Sequence, residues 1–180
     1  MAERLSFRPK DARTLYDYNR AVFDRFVRKV RNLPGRGATR KRGIGHESLL
    51  DTLVHVLNVH EVWVLYILPG RTSDKELGAL FDDPRRKPKN WKDFDAYARR
   101  VWAGIDAALS RETSRSLGRR VKVFWMRGTY TARDGLLQAT VEQAHHLGEV
   151  IGALWQDDIQ PPEMTWIDVH RELARRAARR

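Results

Sequence analysis

The sequence predicts an all-α protein: a four-helix bundle with a long crossover between its second and third helices, followed by a short carboxy-terminal helix. Three observations carry this expectation. Four long segments repeat apolar residues at helical intervals. Pro34-Gly35 and Pro69-Gly70 stop the first two of them. Residues 71–90 are polar, include Pro84, Lys87 and Pro88, and read as a long connection with at most one short turn of helix.

The first helix is expected over residues 10–33, where Phe23, Phe26, Val27, Val30 and Leu33 recur on one side and Asp24, Arg25, Arg28 and Lys29 on the other. A basic loop follows, ending at Gly43-Ile-Gly45. The second helix, residues 46–68, is apolar over most of its circumference and belongs at the centre of a bundle. Its polar exceptions, Asp51, His55, Asn58, His60 and Glu61, each need a partner. The third helix, residues 91–112, carries Phe94, Tyr97, Val101, Ile105 and Ala108 as its stripe. Residues 121–126 alternate briefly and suggest an extended segment. Thr131 and Asp134 form a capping box that opens the fourth helix. That helix runs to about Gln156 with Leu137, Val141, Ala144, Gly148, Ile151 and Trp155 as its expected packing stripe, Gly148 letting a neighbour come close. Residues 165–180 suggest a last, basic helix.

One domain over residues 1–180 is expected, with its core in 11–156 and a basic extension in 157–180. Hydrophobic residues make up 42% of the chain, enough to build a core and to exclude wholesale disorder. The absence of cysteine removes disulfides, thiolate ligands and a cysteine nucleophile. The first residues contain no apolar signal core and no apolar run is long enough to span a bilayer, so a cytoplasmic protein is the default. The net charge of +11 gathers in residues 36–42, 85–89, 115–122 and 171–180. Such clusters solvate loops more often than they grip a groove, which leaves nucleic-acid binding as a minority reading.

The chemistry-bearing residues are His55, Glu142 and His146. Glu142 and His146 stand one helical turn apart on one face, and His55 lies in a second apolar helix that packing could bring opposite. Two histidines and a carboxylate suit a divalent cation with a position left for water or substrate. An ion so held keeps a net single positive charge and favours hydroxide or thiolate beside it. A hydrogen bond from Asp51 would satisfy His55 equally well without metal. His145 points about 100° away from His146 and reads as partly exposed, and His60 reads as a packing residue. Glu149 reads as a solvated carboxylate or, less readily, a supporting group, and His46 as the start of the second helix without a role. Trp63, Trp125 and Trp155 are expected in the core, with room for one of them to wall a pocket in the bundle.

The stretches Asp51-Thr-Leu-Val-His55-Val-Leu-Asn-Val-His-Glu-Val-Trp63 and Glu142-Gln-Ala-His-His146-Leu-Gly-Glu-Val-Ile-Gly-Ala-Leu-Trp-Gln156 resemble the DinB / YfiT-like family of four-helix-bundle metalloproteins. That family has a histidine on its second helix with an aromatic two turns later. Its last bundle helix carries a ligand four residues before a His-x-Gly-Gln/Glu sequence. Many members have histidine where this chain has Glu142; the His, Glu, His set resembles that of the mycothiol-dependent maleylpyruvate isomerase branch. That isomerase has a further domain that this chain is too short to contain, which argues against the same substrate. The resemblance implies zinc or nickel as cofactor, a small-molecule substrate, a low-molecular-weight thiol as partner, and paired bundles in a homodimer. The chemistry implied is transfer or addition by an activated thiol, with hydrolysis by activated water second. The rivals are a basic bundle that binds nucleic acid and a metal-free dimerisation scaffold.

Overall fold

The computed structural model describes residues 7–43, 45–70 and 72–178. Residues 1–6, Ile44 of the basic loop, Arg71 and the last two arginines of the tail lie outside the described residues. The four bundle helices are α1 (Pro9–Arg31), α2 (Leu49–Glu61), α4 (Trp91–Leu109) and α6 (Ala132–Gln156). The crossover from α2 to α4 holds a nine-residue helix, α3 (Asp74–Asp82), and a 3-10 turn, Pro84–Arg86. Ser73 caps α3, with Glu76 reaching back to its backbone, so residues expected to form a plain connection wind into two and a half turns. A single turn, α5 (Ser114–Leu117), precedes a two-stranded antiparallel ladder of β1 (Arg120–Val121) and β2 (Tyr130–Thr131). The extended segment expected over 121–126 is thus confined to its first residue, and the chain turns back after Val123.

Helix α2 begins at Leu49, capped by Ser48, rather than at His46. It packs on α1, α4 and α6, as its all-round apolarity requires. Past Glu61 the helix continues as a π-helical segment, Val62–Ile67. Phe23, Phe26, Leu53, Leu57, Phe94, Ile105, Leu136, Leu147 and Leu154 are fully or almost fully buried. Each such side chain contributes about 1.5–3 kcal/mol relative to exposure.

The packing face of α6 corrects the expectation. Its buried residues are Leu136, Ala139, Gln143, Leu147, Val150 and Leu154, whereas Val141 and Trp155 are more than half exposed and Leu137 is 39% exposed. A Cβ on Gly148 would meet open space, so no helix approaches it closely. The helix is apolar on two faces, and the one that faces the bundle is the one adjoining His146.

Two polar residues of α2, Asn58 and Glu61, find their partners inside the fold. Glu61 is fully buried and accepts from Arg86 Nε at 2.6 Å, Arg100 at 2.8 Å and the Tyr97 hydroxyl at 2.8 Å. Arg86 also donates to the carbonyls of Leu80 and Asn58. This network fastens the crossover onto α2 and α4, and it turns one of the arginines expected to solvate a loop into a buried strut. Arg42 and Arg40 likewise hold Asp157, at the end of α6, to the loop between α1 and α2. The basic tail forms α7 (Trp166–Ala177), seated on α1 through buried Val169, the Tyr18–Trp166 ring contact and the Arg25–Glu172 ion pair. Among the described residues no helix is long and apolar enough to cross a membrane.

Candidate metal centre

Three imidazoles converge where α2 and α6 pack together. His46, His55 and His146 each offer a ring nitrogen, and the three nitrogens lie within 4.8 Å of one another. The ring centroids of His46 and His55 are 4.0 Å apart, and those of His55 and His146 4.5 Å. Burial, followed by the neighbouring His46 and His146 rings and by Arg86, pushes the pKa of His55 down to about 3. Burial also lowers that of His46. Both rings are therefore neutral near pH 7 and keep a lone pair free for a cation.

Each histidine is placed by a different device. His55 stands in the middle of α2 and His146 in α6. His46 comes from the loop before α2, and the loop turns there because Gly43 and Gly45 adopt φ of +66° and +57°, a region other residues rarely enter. A Cβ on Gly45 would meet Glu149 Oε2 at 2.3 Å, so a side chain there strains the backbone and displaces the Glu149 carboxylate. Glu149 lies 2.8 Å from His146 Nδ1. Holding that nitrogen as the N–H donor leaves Nε2 to face the cluster, the usual support for a ligating histidine. Glu149 is thus a positioning group and not the solvated carboxylate expected of it, while His145 is exposed as expected.

Of the three residues singled out in the sequence, His55 and His146 meet. Glu142 lies beside them: its Oε2 is 3.6 Å from His146 Nε2, and its Oε1 accepts from Gln138 Nε2 at 2.7 Å. The 3.6 Å separation is longer than a hydrogen bond and close to the roughly 3.4 Å between ligands of a tetrahedral ion with bonds of about 2.1 Å. The structure brings in His46, which sequence reasoning passed over; the paired glycines just before it are the signal that could have found it. Asp51, the metal-free alternative for His55, instead accepts the hydroxyl of Ser48 at 2.6 Å. Three imidazoles with a carboxylate alongside are a donor set that suits a divalent ion.

A cavity of about 560 Å³ opens beside His55 and Glu142. Trp63, Phe81, Trp125 and Met126 form much of its wall, so two of the three tryptophans expected in the core line a pocket, and Trp155 is exposed. Trp63 is pressed into place by Gly135 of α6, where a Cβ would sit 2.8 Å from its ring.

A helical bundle with a histidine cluster between its second and last long helices defines the class of protein. The model of the DinB superfamily matches residues 17–150, and the chain belongs to that family. No curated protein matches it. Members of the superfamily are often metal-binding.

Proposed function

We propose that this protein is a divalent-metal enzyme whose ion, zinc or nickel, is held by His46, His55 and His146 with Glu142 at its edge. The observation that carries the reading is the convergence of three imidazoles, two of them held neutral by burial, at the wall of an apolar cavity. When bound, the ion supplies Lewis acidity that lowers the pKa of a nearby thiol or water. The protein's own residues supply the rest. Glu149 fixes the tautomer of His146. Glu142 reaches both the cluster and the cavity and is placed to accept a proton from a nucleophile entering there. The apolar wall keeps water away from the reacting groups. Transfer or addition by a low-molecular-weight thiol is the reaction this arrangement suits first, and hydrolysis second. A nucleic-acid role draws less support, because Arg40, Arg42 and Arg86 are engaged in ion pairs within the fold.

Elemental analysis of protein purified without a histidine tag tests the reading. Wild type should carry close to one equivalent of zinc or nickel. A His55→Ala/His146→Ala double variant with an unchanged helical circular-dichroism spectrum should carry less than a tenth of that. Equal metal content in the two proteins, or none in either after dialysis against zinc and nickel, sinks it.

A further inference from the structure

The cavity has a composition that selects a ligand. Its walls are mainly apolar and aromatic, and its large aromatics come from three separate segments. Trp63 comes from the π-helical segment, Phe81 from α3, and Trp125 from the loop between β1 and β2. Phe81 and Trp125 remain 50% and 39% exposed, yet they meet edge to face at 5.8 Å, and Trp125 meets Trp63 in the same way at 6.4 Å. Three aromatic rings brought into contact around an opening, two of them still solvated, make a surface that loses water when a flat or long apolar body enters. A cavity of about 150 Å³ already accepts benzene, so about 560 Å³ leaves room for more than one ring.

The charged lining decides the polarity of that body. Two cations and one carboxylate border the cavity: Arg86, Lys87 and Glu142. The guanidinium of Arg86 is taken up by Glu61 and two carbonyls. Lys87 is exposed and makes no ion pair with a described carboxylate, so its ammonium is available. Glu142 lies at the histidine end, where a bound ion would offset its charge. Aromatic walls also attract cations, but the unpaired Lys87 and a metal ion would both repel one.

We propose that the cavity binds an amphipathic organic anion, an aromatic or long-alkyl carboxylate, with its apolar body against Trp63, Phe81 and Trp125 and its carboxylate on Lys87. The proposal names the substrate class for the metal reading above and rests on that reading only for the end of the ligand that faces His55.

Calorimetric titration of the full chain, zinc-loaded and metal-free, with naphthylacetate, the matching alcohol and the matching primary ammonium compound tests it. Naphthylacetate should bind at least about tenfold tighter than the alcohol, and the ammonium compound weakest. Lys87→Gln should erase the preference for acid over alcohol without weakening the alcohol. Trp125→Ala should weaken acid and alcohol alike by about tenfold while zinc content stays at the wild-type level; Phe81→Ala serves the same purpose if Trp125→Ala fails to fold. Equal affinity for all three compounds, or wild-type binding by Lys87→Gln and the aromatic variants, overturns the proposal and leaves the metal reading standing. Selective acid binding by a protein that takes up no zinc or nickel upholds this pocket and removes the metal.

Discussion

His55 and His60 sit five residues apart on α2, both held neutral, and they do opposite things. His60 is fully buried, 2.8 Å from the side-chain oxygen of Gln143 and packed against the rings of Tyr16 and Trp102. Its Nε2 is paired and its Nδ1 is buried without a hydrogen-bond partner, walled off by α1, α4 and α6. His55 is surrounded instead by other imidazoles, with a cavity on its open side. A histidine whose neighbours are amides and apolar rings belongs to the scaffold. One whose neighbours are further lone-pair donors is set up to share a cation. Burial alone does not separate the two cases; the chemistry of the neighbours does.

The scaffold side of the comparison breaks hardest at Glu61, the residue after His60. Removing one partner of a buried ion pair leaves the other charge unsatisfied. Glu61→Ala should therefore cost about 3–5 kcal/mol, read as a lower urea midpoint, and should loosen the crossover that Arg86 anchors. By contrast, His55→Ala should leave the stability of metal-free protein within about 1 kcal/mol of wild type, since it removes a partly buried ring from a cluster of like groups.

Acid should sharpen the contrast next. Burial pushes His60 down to about 4, whereas an unfolded imidazole takes up its proton near 6.5. Between those values the unfolded chain binds the extra proton, so the stability His60 supports is fully present above about pH 6.5 and drains away as pH falls towards 4. The loss is on the order of 3 kcal/mol. In His60→Gln, urea midpoints followed from pH 7 to pH 4 should fall with a slope shallower by about one proton.

A smaller effect than those at Glu61 and His60 should come from Gly45. A methyl group there meets Glu149 and strains a backbone at φ +57°, which disturbs both His46 and the support of His146. Gly45→Ala should weaken zinc binding about tenfold, in line with losing a group that orients a ligand, and should lower stability by roughly 1 kcal/mol through the backbone strain. Unchanged zinc affinity would detach the loop from the site and return His46 to the standing of His60.

Much of this was legible in the residues. Pro34-Gly35, Pro69-Gly70 and the Thr131/Asp134 box marked helix ends because proline, glycine and capping side chains act locally. His55 and His146 could be paired because helical spacing carries a side chain's direction with it. His46 could not, since its position depends on two glycines in left-handed conformation and on a contact with Glu149 a hundred residues away. The face of α6 was misread because the helix is apolar on both sides. Period alone cannot choose between Leu137-Val141-Ile151 and Leu136-Leu147-Leu154. The buried amide of Gln143 was the deciding clue, because an interior amide on that face needs, and finds, His60 and the Asn19 carbonyl.

The π-helical turns after Glu61 give the molecule an adjustable spacer. Each residue of an α-helix advances the chain by about 100°. Loss of a single residue from this over-wide stretch would let it relax to α, swinging Trp63 and the departing strand of chain around the axis. His55, one turn and more upstream, would stay where it is. The ceiling of the cavity can therefore be re-cut during evolution by one small deletion that leaves the histidine cluster untouched.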